Sequence, residues 1–211
     1  MDENRISKIP YGQLGIIVHD SCKELGDKID QYIVKRREKE FSKSTSEYYL
    51  GKLQKSYLIK SNNIRFANGE GKGVLKESIR GKDIYILADI GNYSIKYNLF
   101  GMETRMGPDE HFQDIKRLIS AVAGKARRIS IIMPMLYSGR QDKRNTRESL
   151  DCAMALQELE NLGIENIFTF DAHEPRVQNA IPLIGFESLH PTYEIIKTMV
   201  NTIENLKVDK S

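Results

Sequence analysis

Short apolar runs alternate with stretches of helical periodicity along this chain. The β-branched run "LGIIVH" (14–19) predicts a strand. From Cys22 to Glu40, the residues Leu25, Ile29, Tyr32 and Ile33 recur at helical spacing and predict a helix. The polar stretch "KEFSKSTSEYYLGKLQKS", with its two adjacent tyrosines, breaks the pattern. It reads as an inserted arm, placed at 38–62, rather than as core. "NNIRFANGEGKGVLKES" holds two short strand-like pieces around a glycine-rich turn, and "GKDIYILADI" predicts a buried strand.

The clearest helix is "GPDEHFQDIKRLISAVAG". Pro108 suits a first turn, Asp109 and Glu110 complement the positive helix end, and Gly124 can close it. Phe112, Ile115, Ile119 and Val122 form the apolar stripe. "RRISIIMPML" predicts the next strand. "NTRESLDCAMALQELENLG" predicts the next helix, with Asn145 and Glu148 as a capping pair and Gly163 past its end. "ENIFTFDAH" and "GFESLH" offer two more strands, and "PTYEIIKTMVNTIENL" a last helix. Strands alternating with helices of this length predict a three-layer α/β fold, a mostly parallel sheet with helices on both faces. Such sheets bind ligands beyond the carboxyl ends of their strands. That points to the loop after Asp89, the stretch after Leu136, the "DAH" after Phe170, and His190.

Composition narrows the classes. With 211 residues, 40% of them apolar, the chain suits one large domain or one and a half small ones. A net charge of +3 is too mild to suggest nucleic acid. No apolar run is long enough to cross a bilayer, and the polar opening "MDENRISKIP" is unlike a signal peptide, so the cytoplasm is the expected compartment. Cys22 and Cys152 then read as free thiols, and neither has companions that would suggest zinc.

Three segments carry chemistry. "YSGRQDKRNTRESL" places Arg140, Lys143, Arg144 and Arg147 beyond a strand and ahead of a helix, with Gln141 and Asp142 among them. Cations, a glycine and a helix N-terminus favour a phosphate chain, and Gln141 can read a neutral edge such as a purine. The plainer reading is a solvated turn with ion pairs to Asp142 and Glu148. In "FTFDAHEPRVQ", Asp171 and His173 point to one side of an extended chain and can hold a divalent cation, the carboxylate suiting Mg²⁺. Otherwise Asp171 caps the following turn and His173 packs. In "RFANGEGKG", Gly69, Gly71 and Gly73 allow close backbone approach, Phe66 can stack on a base and Glu70 can accept from a ligand. An ordinary hairpin turn explains the same residues. His19, His111 and His190 each suit structural roles. No P-loop, Ser-His-Asp or G-x-S-x-G arrangement is visible.

Taken together, the order and strand context of these segments resemble the ribose-phosphate pyrophosphokinases, also called phosphoribosyl pyrophosphate synthetases. "FANGE" (66–70) stands in place of the family's F-S-D-G-E, and "ESIRGKDIYIL" (77–87) in place of its E-S-V-R-G-K-D-V stretch. "YSGRQDKR" (137–144) is similar to Y-x-R-Q-D-[KR]-[KR], with one residue inserted, and "DAHEPRVQ" (171–178) to D-L-H-x-x-Q-I-Q. The resemblance runs from about Ile64 to His190. It implies a type I phosphoribosyltransferase-like fold and transfer of the pyrophosphoryl group of ATP to ribose 5-phosphate, with Mg²⁺ required. The products are phosphoribosyl pyrophosphate and AMP. It implies homo-oligomers, dimer to hexamer, with no nucleic-acid or membrane partner. By the same resemblance Phe66, Asn68 and Glu70 contact adenine from a neighbouring subunit, Arg140, Gln141, Asp142 and Lys143 hold ATP, and Asp171 and His173 sit at the metal.

The chain departs from the family in several places. The family's aspartate-rich phosphoribosyl-binding loop and basic catalytic loop do not occur in it. The expectation is therefore a single ATP-side domain over 1–211 of a normally two-domain enzyme, inactive alone, whether excised or naturally half-length. Asn68 replaces an aspartate, "VQNAIP" lacks the acidic residue of Q-G-F-F-D-I-P, and residues 91–108 replace a shorter loop. A non-catalytic regulatory or scaffolding subunit is the alternative. A phosphoribosyltransferase is disfavoured because the phosphoribosyl loop is missing.

Overall fold

The apolar runs pair side by side and all point the same way. In the computed structural model, which describes residues 11–41 and 53–203, β1 (Gln13–Val18) leads through a 3-10 turn (Asp20–Cys22) into α1 (Lys23–Phe41). Then come β2 (Leu58–Ile59), the hairpin strands β3 (Ser61–Arg65) and β4 (Gly71–Leu75), and β5 (Lys82–Leu87). A second hairpin, β6 (Lys96–Leu99) and β7 (Met102–Arg105), precedes α2 (Pro108–Val122) and β8 (Arg128–Ile132). The remainder is α3 (Asp151–Asn161), β9 (Asn166–Phe170), a 3-10 stretch (Pro175–Ala180), β10 (Gly185–Leu189) and α4 (Thr192–Thr202). Six strands form one sheet in the order β10-β9-β8-β5-β1-β2, and every neighbouring pair is parallel.

Side-chain alternation assigns the faces. Ile17, Ile86 and Ile131 are register partners across β1, β5 and β8, all fully buried. They pack in one cluster with Phe112, Ile115 and Leu118 of α2 and Leu156 and Leu159 of α3. The opposite face carries Val18, against which α1 lies: a Cβ at Gly26 would sit 2.5 Å from a Val18 methyl. Helices therefore cover both faces, as the alternation of elements predicts. Toward β8 and β9 that second face is only half covered, and Tyr85, Ile132 and Phe168 are half-buried there.

The face of α1 differs from the expected stripe. Leu25 and Tyr32 are exposed, and the inward positions are Gly26 and Asp30. Buried Asp30 accepts the Tyr57 amide at 2.7 Å, and Arg37 stacks over the Tyr57 ring. Hydrophobic periodicity cannot see such a contact, because glycine and aspartate score as surface. The stretch assigned to an arm at 38–62 is divided. Its start closes α1, residues 42–52 lie outside the described residues, and Tyr57–Ile59 return to the buried sheet edge.

Two further elements differ from expectation. The helix expected from Asn145 begins only at Asp151. Glu148 does accept the Asn145 amide, at 3.4 Å, but it also takes the Thr146 hydroxyl, so the pair closes a local turn and no helix. Residues 91–108, read as a substituted loop, contain the β6–β7 hairpin. Phe100 and Gly101 both adopt left-handed φ, as a tight two-residue hairpin turn requires. Cys22 and Cys152 are buried free thiols, as expected, and burial pushes both up to about 11. No helix among the described residues is long and apolar enough to cross a membrane.

Glycine to alanine in a helix ordinarily stabilises by about 1 kcal/mol. Gly26→Ala should do the reverse, because overpacking against Val18 costs about 1–3 kcal/mol. A lowered urea midpoint checks this, with unchanged or raised stability counting against the packing of α1.

Candidate functional site

Parallel pairing delivers the loops after β5, β8 and β9 to one edge. There they line a cleft of about 640 Å³. Its walls are Pro134–Gln141 after β8 and Phe170–His173 after β9, with Ile90 and the start of α2 completing it. Arg140, Gln141, Asp171 and His173 thus come together, although they lie on separate loops.

The basic turn is built from the aromatic ring outward. Tyr137 stacks on Phe112 at 4.2 Å, nearly coplanar, and its hydroxyl donates to Asp109 at 2.7 Å. Burial, then the hydrogen bond to Asp109, pushes the Tyr137 phenol up, so it stays protonated. The backbone then reverses: Ser138 has left-handed φ, the Gly139 amide donates to Leu136 and the Gln141 amide to Ser138. Arg140 leaves this turn exposed, with no hydrogen bond or ion pair among the described residues. The ion pairs of the plainer reading do not form there: Glu148 is engaged with its own turn, and Asp142 has no salt bridge among the described residues. The helix end contributes less than expected. One amide at the start of α3, from Cys152, donates at 3.3 Å to the Gln141 carbonyl, and Asp151 occupies the first turn.

Across the cleft, Asp171 also has left-handed φ, 44°. It does not cap the following turn; Glu174 does, accepting the Arg176 amide at 3.0 Å and the Arg176 guanidinium. The hydrogen bonds from Arg176 bring Glu174 down to about 2, with Lys143 adding a small field. Asp171 Oδ1 instead accepts from His190 Nδ1 at 2.7 Å. His173 is exposed and has no hydrogen bond or ion pair among the described residues, so it is not packed. No group of three His, Cys, Asp or Glu side chains among the described residues is placed to hold a metal by itself. Asp171 and His173 fit a cation only where other oxygens complete its shell, as Mg²⁺ does with phosphates and water.

Phe66, Asn68 and Glu70 lie elsewhere, on the turn between β3 and β4, and do not line the cleft. The Phe66 amide donates to the Glu70 carbonyl, and the Asn68 side chain bonds both the Glu70 amide and its carboxylate. The Phe66 ring is 47% exposed. This hairpin is anchored on α2, where a Cβ at Gly73 would lie 2.9 Å from the Arg117 backbone.

Sequence reasoning missed a buried polar hub between α2, the β3–β4 hairpin and the end of β1. Asp114, 3% exposed, accepts from Arg65 of β3 and Arg117 of α2, each at 2.6 Å. His19 Nδ1 accepts the Ser21 amide, which directs Nε2–H toward Asp114 Oδ2, 3.4 Å away. His111 meets His19 edge-on at 5.2 Å and donates Nε2–H to the Asn92 carbonyl. The available signal was Asp114 beside His111 on the apolar side of α2, where a charge needs a partner.

Both shifts in this hub have one sign. Burial depresses His111, whose Nδ1 has no partner and so suits the neutral ring. Burial acts to raise Asp114, but hydrogen bonds from His19 and Arg117 and the charge of Arg65 outweigh it and hold the carboxyl low. Each group binds fewer protons folded than unfolded, so stability rises with pH and is lost as pH drops. The His111 contribution is complete above its ordinary 6.5 and fades as pH drops through its lowered value. That of Asp114 is complete above 3.8 and fades below. Urea titrations across pH should show this decline, and His111→Phe should flatten its upper part. Asp114→Ala strands Arg65, whose side chain is 10% exposed, and should cost about 3 kcal/mol.

Comparison with known proteins gives one consistent result. Residues 14–163 match the family model for the N-terminal domain of ribose phosphate pyrophosphokinase. Ribose-phosphate pyrophosphokinase A of Dictyostelium discoideum is 30% identical over 145 residues, which is 68% of this chain and 42% of that protein. The ribose-phosphate pyrophosphokinase of Bacillus caldolyticus is 28% identical over 116 residues, 54% of this chain and 32% of that one. The crystal structure of phosphoribosylpyrophosphate synthetase from Mycobacterium smegmatis shares the fold. Its TM-score is 0.62 at 19% identity, covering 90% of this chain and 52% of that one. The chain thus spans 32% to 52% of the length of these relatives. Asp171, His173 and His190 lie beyond the span that the family model matches.

Proposed function

This chain belongs to the ribose-phosphate pyrophosphokinase family, and on that premise we propose that it is the nucleotide-side half of such an enzyme. The observation that carries the reading is the cleft in which Arg140 and Gln141, whose side chains have no partner among the described residues, meet Asp171 and His173. An unneutralised guanidinium and a neutral amide suit a polyphosphate chain with a purine beside it.

In this reading Arg140 binds phosphate oxygens of ATP, Gln141 bonds the nucleotide, and Asp142 and Lys143 border its path. The C1 hydroxyl of ribose 5-phosphate attacks the β-phosphorus, the bond to the α-phosphate oxygen breaks, and AMP leaves. The protein's part is chiefly positioning and charge neutralisation. Asp171 and His173 would hold Mg²⁺ together with phosphate oxygens, and the ion would neutralise triphosphate charge. The residues that bind the sugar phosphate belong to the family's second half. The exposed Phe66 with Asn68 and Glu70, set away from the cleft, suits adenine bound by a second copy, which makes the working form a homo-oligomer. The cytoplasm is its proposed compartment.

Calorimetry with ATP and Mg²⁺ tests this directly. The chain should bind ATP, and Arg140→Ala should weaken binding at least tenfold, the loss of one charge-assisted bond being about 1.5–3 kcal/mol. Absence of binding at concentrations where the chain self-associates would overturn the assignment.

A further inference from the structure

The end of β10 makes three contacts with the residues that follow β9. The Asp171 amide donates to the Leu189 carbonyl at 3.0 Å. The Ala172 amide donates to Ser188 Oγ at 2.9 Å. His190 Nδ1 donates to Asp171 Oδ1 at 2.7 Å. Two of these fall on Asp171 and one on the next residue, and Asp171 has a left-handed backbone, φ 44°, a region uncommon outside glycine although aspartate enters it more readily than most. These contacts help to hold that conformation.

We propose that His190 is a positioning residue for the cation-holding carboxylate of Asp171. With Oδ1 taken by His190, Oδ2 carries the unshared acceptor capacity and is the oxygen left for a cation in the cleft. Groups that hydrogen-bond a ligating carboxylate fix its rotamer before the ion arrives. The histidine lies outside the motifs that resemble the family, so nothing in those motifs assigns it this task. The inference rests on the reading of Asp171 as the metal-side carboxylate.

The test is calorimetry of ATP binding to the full chain, with Mg²⁺ and with EDTA, which isolates the gain in affinity due to the metal. His190→Ala should cut that gain about tenfold, the low end for such supporting groups, because both side chains are 62% exposed. It should leave metal-free ATP affinity and the melting curve unchanged. His190→Asn, which keeps a donor near the Nδ1 position, should restore most of the gain. Asp171→Asn should abolish it. If Asp171→Asn removes the gain and His190→Ala does not, the positioning role is wrong and the metal reading survives. If His190→Asn is as damaging as His190→Ala, the role is likewise overturned. If Asp171→Asn leaves the gain intact, the metal reading of Asp171 fails and takes this role with it.

Discussion

The candidate cleft depends on strands that run in one direction. Parallel pairing of β5 with β8 and of β8 with β9 sends three loops, distant in sequence, to the same edge. An antiparallel partner at any of these places would send its loop to the far end, and Arg140 would never meet Asp171. The register is held by buried branched residues: Ile86 opposite Ile131, and Ile131 opposite Ile167. A slip of one residue would turn each of these outward.

A second constraint is ionic and buried. Asp114 joins α2 to the β3–β4 hairpin through Arg65 and to the end of β1 through His19. An unpaired carboxylate at that depth would be costly, so its partners cannot be removed one at a time without loss. The hairpin turn bearing Phe66 is held to the domain by this charge arrangement and by the close approach of Gly73, more than by apolar burial of its own.

Much of this was legible in the sequence, for identifiable reasons. The sheet and α2 follow from periodicity, because their inward residues are large and apolar. The basic turn and the aspartate beyond β9 follow from the rule that ligands gather at carboxyl ends. Where periodicity failed, small or polar residues did the inward work. Gly26 and Asp30 face in on α1, while Leu25 and Tyr32 face out. The start of α3 was misplaced because Glu148 has the spacing of a cap yet serves a turn. The pairing of Asp171 with His190 was invisible, since no local rule links the ends of two adjacent strands.

The order of the sheet also bears on how the chain acquires its shape. From β5 through β8 and β9 to β10, each strand pairs with the next large-sheet strand along the chain, and α2 and α3 serve as the crossovers. β1 pairs with β2 on one side and, over a longer stretch of chain, with β5 on the other: Val18 pairs with Leu87, whereas Leu189 pairs with Phe170. Closing the longer loop costs more chain entropy. The pairing of the amino-terminal strand with β5 spans more chain than any other pairing in the sheet, and it joins residues synthesised far apart. The histidine beyond its end reaches the buried hub on α2 by that same long pairing.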